Sequence, residues 1–256
     1  MKRLGLLVLV FTLGTVGLLA QGTKESKIEL LVSAAASTTD CMNELVGIYS
    51  EQHQNLTINC NYGSSGALQQ QIEQGAPVDI FFSASPKQMK ALQEKGLMED
   101  ASIQDLLLNR IVLITPKDEK QLSSFQDLLD SSITKIGVGE PKSVPAGQYA
   151  AQVFKSLEMT DALASKLVLA KDVREVLSWV ETGNVQAGIV YETDSKISSG
   201  VVVSTIAPEG SHTPVVYPIG VVKTSQQKEA ALAFETFLFS QEASSVFAKY
   251  GFTVVN

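Results

Sequence analysis

Ser37 stands three residues before Asp40, and Asp172 three before Glu175. Both spacings fit a capping box, so each marks a helix start with exposed backbone N–H groups and a positive dipole end. Ser64-Ser65 and Ala146-Gly147 are small-residue stretches where two more helices should begin, and Tyr191 ends the apolar run Ala187-Gly188-Ile189-Val190. Brought together, these residues would offer many neutral hydrogen-bond donors and no obvious acceptor, which suits an anion. Taken singly, each is equally an ordinary strand-to-helix turn with its cap.

Catalytic alternatives find little material. A nucleophilic serine needs a histidine base. The two histidines, His53 in a polar helix end and His212 in the loop Gly210-Ser211-His212-Thr213, both read as facing solvent. No G-x-S-x-G elbow is present. Gly137 and Gly139 begin a G-x-G, but no third glycine or helix start follows at the spacing a dinucleotide site requires. No cluster of Cys, His and Asp has metal-ligand spacing.

The elements that would position these residues alternate strand with helix. Ile28–Val32 is apolar and runs through Ser33-Ala34-Ala35-Ala36 into a helix predicted to start just after Ser37, with Leu45 and Ile48 on its inner face. Leu56–Tyr62 alternates as a strand and meets Gly63-Ser64-Ser65-Gly66; Val78–Phe82 is a third strand, leading to a helix with Met89 and Leu92. After a strand over Arg110–Pro116, a second such set runs through Ile136–Gly139, a helix from Gly147, Leu167–Ala170, a helix after Asp172, and Ala187–Tyr191. Val201–Ile206 and Val215–Val222 are rich in β-formers, and the end of the chain reads as helical. This order predicts an α/β protein of two lobes, each a mostly parallel sheet flanked by helices. Ligands in such folds lie beyond the carboxyl ends of the strands, here in the cleft between lobes. The expected division is lobe 1 over 27–109 and 218–256, and lobe 2 over 110–217.

The chain of 256 residues is 45 % hydrophobic with a formal charge of −7. That is enough for a sizeable core, and the acidic balance gives no nucleic-acid footprint. Lys2-Arg3 followed by the apolar run from Leu4 to Leu19 reads as a signal peptide over 1–21, too short and interrupted for a convincing membrane span. Gln21 stands where a lipid-anchored protein would carry a cysteine, so a secreted, soluble product is expected, with an uncut anchor as the lesser alternative. The only cysteines, Cys41 and Cys60, both face inward by spacing. An oxidising compartment permits a disulfide between them, and two free thiols are the equal alternative.

Nearly the whole mature chain resembles the periplasmic molybdate-binding proteins of ABC importers. The resemblance is carried by Ala34-Ala35-Ala36-Ser37, by the block from Gln71 to Phe81, by Val144-Pro145-Ala146-Gly147, Asp172-Val173-Arg174 and Gly188-Ile189-Val190-Tyr191, and by the tail Tyr250-Gly251-Phe252. It implies a two-lobed, type II-like periplasmic binding fold that closes on a tetrahedral oxyanion. Ser37, Ser65, Ala146, Val173 and Tyr191 would then hold molybdate or tungstate through hydroxyls, backbone amides and a phenol. Gly66 departs from the pattern, since relatives often carry a serine there. Asp172 and Arg174 are read as a cap and as lobe surface. The resemblance further implies no catalysis and no cofactor, an extracytoplasmic monomer, and delivery to a membrane permease with a cytoplasmic ATPase. Sulfate is the alternative ligand, and a secreted serine hydrolase the alternative class.

Overall fold

The computed structural model describes residues 27–119 and 121–255; the signal peptide expected over 1–21 lies outside the described residues. Two sheets organise the chain, one of six strands and one of five. The first is begun by β1 (Ile28–Ala35), α1 (Thr39–Gln52), β2 (Leu56–Gly63), α2 (Ser65–Glu73), β3 (Ile80–Phe82), α3 (Pro86–Glu94) and β4 (Gln104–Asn109). The second contains β5 (Ile111–Pro116), β6 (Ile136–Gly139), α4 (Pro145–Ser156), the short α5 (Thr160–Leu163), β7 (Leu167–Ala170), α6 (Val173–Glu181), β8 (Ala187–Tyr191), α7 (Glu192–Lys196) and β9 (Val201–Ile206). The chain then returns to the first sheet through β10 (Val215–Val221), α8 (Lys228–Leu238), α9 (Gln241–Lys249) and β11 (Thr253–Val254).

The strand orders are β11-β4-β10-β3-β1-β2 and β7-β6-β8-β5-β9. Both sheets are mixed. The pairs β1–β2, β1–β3, β6–β7 and β6–β8 are parallel, joined by helical crossovers, whereas β4, β5, β9, β10 and β11 pair antiparallel. The antiparallel strands are those at which the chain changes sheet or comes back. The return begins three residues before the expected boundary at 218: Val215 already pairs with Asn109 and Tyr217 with Leu107, so Tyr217 belongs to the first sheet. Strand β4 carries no clean alternation and gives no sequence signal. Its Leu106 and Leu107 are both fully buried because Leu106 and Leu107 point to opposite, covered faces.

Alternation along β1 sends Leu30, Val32 and Ala34 to a core shared with Cys41, Met42 and Leu45 of α1 and with Phe234 and Phe247 of the C-terminal helices. The opposite face of the sheet packs Phe81 against Leu68, Ile72, Met89 and Leu92 from α2 and α3. Each fully buried side chain of this size contributes roughly 1.5–3 kcal/mol, so covering both faces is what holds the parallel core strands. Asp79 is structural: its carboxylate accepts the Leu31 N–H at 2.8 Å and the Ser225 hydroxyl at 2.6 Å, tying β1 to the turn that follows β10.

Cys41 and Cys60 are free thiols in the structure, so the bridge weighed from the sequence is not formed. The Cys41 thiol instead donates to the Thr38 carbonyl at 3.1 Å inside the first turn of α1.

Glu235 on α8 is 3 % exposed, and one of its carboxyl oxygens has no partner among the described residues. Burial pushes its pKa from 4.5 up to about 7. A folded pKa raised above the unfolded value gives stability that is complete below about pH 4.5 and is lost as pH rises through about 7. Glu235→Gln is therefore expected to match the wild type near pH 4.5 and to exceed it by on the order of 3 kcal/mol at pH 8. Urea denaturation across that window tests this; parallel pH profiles for the two proteins would contradict it.

Candidate functional site

Between the two sheets lies a small, partly open cavity of about 10 Å³, lined by Ser37, Ser65, Ala146, Val173 and Tyr191 together with Ala35, Ala36, Gly63, Ser64, Ala84, Val144, Pro145 and Asp172. The structure thus brings all five residues singled out in the sequence to one place. That volume is on the scale of a single water molecule, so the cavity as it stands is a small one. Each lobe presents the carboxyl ends of its strands. Ser37 follows β1, Ser65 follows β2, Ala146 opens the helix after β6, Val173 opens the helix after β7, and Tyr191 ends β8.

Local sequence explains how donors come to face the cavity. Pro145 fits the first turn of α4, where its missing N–H costs nothing, and no side chain caps that helix. The amide of Ala146 therefore opens onto the cavity end. Gly147 lies so close to β6 that a Cβ there would sit 1.9 Å from the Gly139 carbonyl. The Gly137/Gly139 pair thus serves helix-on-strand packing. Asp172 caps α6 by accepting the Glu175 N–H at 3.0 Å, so the one carboxylate lining the cavity is directed at its own helix.

Ser37 does not cap α1 as its spacing predicts. It lies in a 3-10 turn over Ala36–Thr38, α1 begins at Thr39, and no side chain caps either element. The Ser37 hydroxyl instead meets the Tyr217 hydroxyl at 2.9 Å. A partner 180 residues away outcompetes the local cap because β10 carries Tyr217 under the end of β1. Ser65 Oγ accepts the Ala84 N–H at 2.9 Å. Tyr191 is 1 % exposed and lines the cavity, and its hydroxyl makes no well-formed hydrogen bond among the described residues, with the Tyr217 phenol beside it. Burial, together with the neighbouring Tyr217 and Tyr149 phenols, holds its pKa well above the ordinary phenol value, so it stays protonated. An unpaired buried hydroxyl costs about 1–3 kcal/mol, and a ligand acceptor would recover that.

Direct contacts join the lobes around this cavity. The Gly66 N–H on α2 donates to the Ser143 carbonyl at 2.9 Å. A Cβ on residue 66 would lie 2.4 Å from that oxygen, which accounts for glycine where the resemblance expects serine. Arg174 is a second bridge and not mere surface. Its Nη2 donates to Asp40 at 2.7 Å and to the Ser37 carbonyl at 3.2 Å, both in the first lobe. Its Nε lies 2.9 Å from the fully buried Asp194 carboxylate of its own lobe. Burial pushes the Asp194 pKa up to about 6 against the pull of Arg174 and of the Tyr191 N–H. Because two carboxylates already neutralise Arg174, the cavity depends on dipoles and neutral donors.

Tyr217, Asn109 and Asp194 are the parts of the site that sequence reasoning missed. Their pattern is that of core strand and helix residues; the pairing of β10 with β4 brings Tyr217 and Asn109 together, and Asp194 comes from α7 to meet Arg174. Conversely, His53 stacks on Tyr49 at 3.9 Å at the end of α1, and His212 sits half-buried beside Tyr149. Neither lines the cavity, so no histidine stands beside Ser37 or Ser65. Among the described residues no Cys, His, Asp and Glu cluster could hold a metal ion, and no helix is long and apolar enough to cross a membrane.

Two α/β lobes meeting over a small donor-lined cavity have the arrangement of a solute-binding protein. The chain belongs to the bacterial extracellular solute-binding protein family, whose profile matches residues 30–253. It is 46 % identical over 90 % of its length, and 88 % of the relative's, to Bacillus subtilis YvgL, named as a substrate-binding lipoprotein of an ABC transporter. It is 38 % identical to the molybdate-binding protein ModA of Haemophilus influenzae, covering 88 % of this chain and 90 % of that one. A Clostridium difficile structure, described as the substrate-binding domain of a molybdenum ABC transporter, superposes with a TM-score of 0.69 at 43 % identity, over 90 % of this chain and all of that one.

Proposed function

We propose that the chain captures molybdate, and tungstate with it, outside the cytoplasm and delivers it to an ABC importer. The observation that carries this is the convergence of Ser37, Ser65, Ala146, Val173 and Tyr191, all donors and drawn from both lobes, on one small cavity. A fully deprotonated dianion is stabilised there by charge-assisted hydrogen bonds and by the N-termini of α2, α4 and α6, with no free countercharge. The names of the relatives support the choice of oxyanion. Contacts made from both lobes couple binding to closure. In this reading the partners are a membrane permease and its cytoplasmic ATPase, the protein works as a monomer without a resident cofactor, and the leader over 1–21 directs its export.

The test is calorimetry on the purified protein. At about 100 times its Kd, molybdate should add roughly 2.7 kcal/mol and raise Tm by about 5–11 °C. No shift with molybdate or tungstate, alongside a shift with an organic solute, would overturn the reading.

A further inference from the structure

Hydrogen-bond polarity at Ser37 can be read outward from the backbone. The Arg110 N–H donates to Asn109 Oδ1 at 2.9 Å, which fixes the amide so that Nδ2 faces the other way. That Nδ2 donates to Thr193 Oγ1 at 2.9 Å and to the Tyr217 hydroxyl oxygen at 3.3 Å. Tyr217 is fully buried and its oxygen accepts from Asn109; we assign its single proton to Ser37 Oγ at 2.9 Å, the other hydrogen-bond contact of that hydroxyl. Ser37 therefore accepts from behind, and its own proton is left for the cavity. Ser65 has the same polarity, since its oxygen accepts the Ala84 N–H. The Ser37 and Ser143 carbonyls are engaged by Arg174 and by Gly66.

We infer that Tyr217 and Asn109 are specificity-determining positioning residues: they lock the Ser37 hydroxyl as a donor, so the closed site takes oxyanions without a proton and rejects those that carry one. This rests on the oxyanion reading above and adds to it two residues that do not line the cavity. Near neutral pH sulfate and molybdate are fully deprotonated, whereas phosphate keeps a proton that needs an acceptor. A donor facing a donor in a buried site costs about 1–3 kcal/mol. Asn109 ends β4, where the chain leaves the first sheet, and Tyr217 lies on β10, where it returns. Thr193, the third member, is in the second lobe on α7, so the relay spans the crossover and is complete when the lobes sit as described.

The experiment is titration calorimetry at pH 7.5 with sodium molybdate, sulfate and phosphate on the wild type, Tyr217→Phe and Asn109→Asp. Tyr217→Phe removes the proton donated to Ser37, whose hydroxyl can then turn and accept. Asn109→Asp replaces the donor to Tyr217 with an acceptor, which draws the Tyr217 proton away and lets Tyr217 accept from Ser37. In both variants the phosphate-to-molybdate affinity ratio should rise about tenfold or more, while the sulfate-to-molybdate ratio stays within about threefold. General loosening of the site would weaken all three anions by one factor and leave the ratios unchanged; that result overturns the relay. Should Tyr217→Phe fold poorly, the near-isosteric Asn109→Asp decides. A wild type that binds none of the three anions overturns the oxyanion reading itself, and the relay with it.

Discussion

Removing both serine hydroxyls, Ser37→Ala with Ser65→Ala, is expected to weaken molybdate binding by roughly 10²- to 10⁴-fold. A hydrogen bond to a charged group is worth about 1.5–3 kcal/mol, or roughly 10- to 150-fold for each hydroxyl. The pair should fall short of the full product, because an anion released by one serine can settle toward the remaining donors. These two hydroxyls also serve the fold: Ser65 Oγ accepts the buried Ala84 N–H and Ser37 Oγ meets Tyr217. Some loss of ligand-free stability must accompany the double variant, so Tm without ligand has to be measured beside Kd. Tyr191→Phe separates the two effects. Its hydroxyl makes no well-formed hydrogen bond among the described residues, so the ligand-free protein should stay close to the wild type in stability. Affinity should still drop about 10- to 150-fold. Wild-type titrations from all three positions would mean that the cavity is not the ligand site.

Arg174→Met is expected to cost about 3–5 kcal/mol of stability, because it strands the fully buried Asp194 carboxylate without a charge partner. For a chain of this size that is a fall in Tm of about 6–20 °C. The pH dependence carries the signature. Asp194 already has its folded pKa raised to about 6 by burial, and loss of Arg174 removes a group that lowers it. A raised folded pKa leaves stability intact below the unfolded value of 3.8 and removes it as pH climbs through the folded value. The defect should accordingly be small near pH 4 and grow through pH 6 and above. Adding Asp194→Asn should recover part of the loss at pH 7.5, since a neutral amide tolerates burial better than an unpaired carboxylate. Thermal scans from pH 4 to 8 decide it: a defect flat in pH, or one that Asp194→Asn deepens, would show that the ion pair is not its origin. The bonds from Arg174 to Asp40 and to the Ser37 carbonyl are lost in the same variant, so closure on a ligand should suffer as well.

Short-range pattern determined much of this protein. Alternation and helical spacing located β1, β2, α2, α4, α6 and β8, and small residues at the ends of those strands marked where donors would be exposed, because caps and turns are written in a few adjacent residues. The family resemblance then collected Ser37, Ser65, Ala146, Val173 and Tyr191 into one set, and the folded chain brings them to one cavity. Tertiary structure alone decided what each of them does there. The local code for Ser37 is a helix cap, yet its hydroxyl goes to Tyr217, since a fully buried phenol on β10 must also find a partner. Arg174 has the sequence pattern of an exposed helix residue, yet it bridges the lobes, because Asp194 and Asp40 arrive from elements on either side of it. Gly66 has no local reason to be glycine; the Ser143 carbonyl from the other lobe supplies one. Strand β4 and Tyr217 were invisible for the same cause: a residue's partners across a sheet or a cleft depend on chain returns over a hundred residues long, and no window of neighbouring residues encodes them.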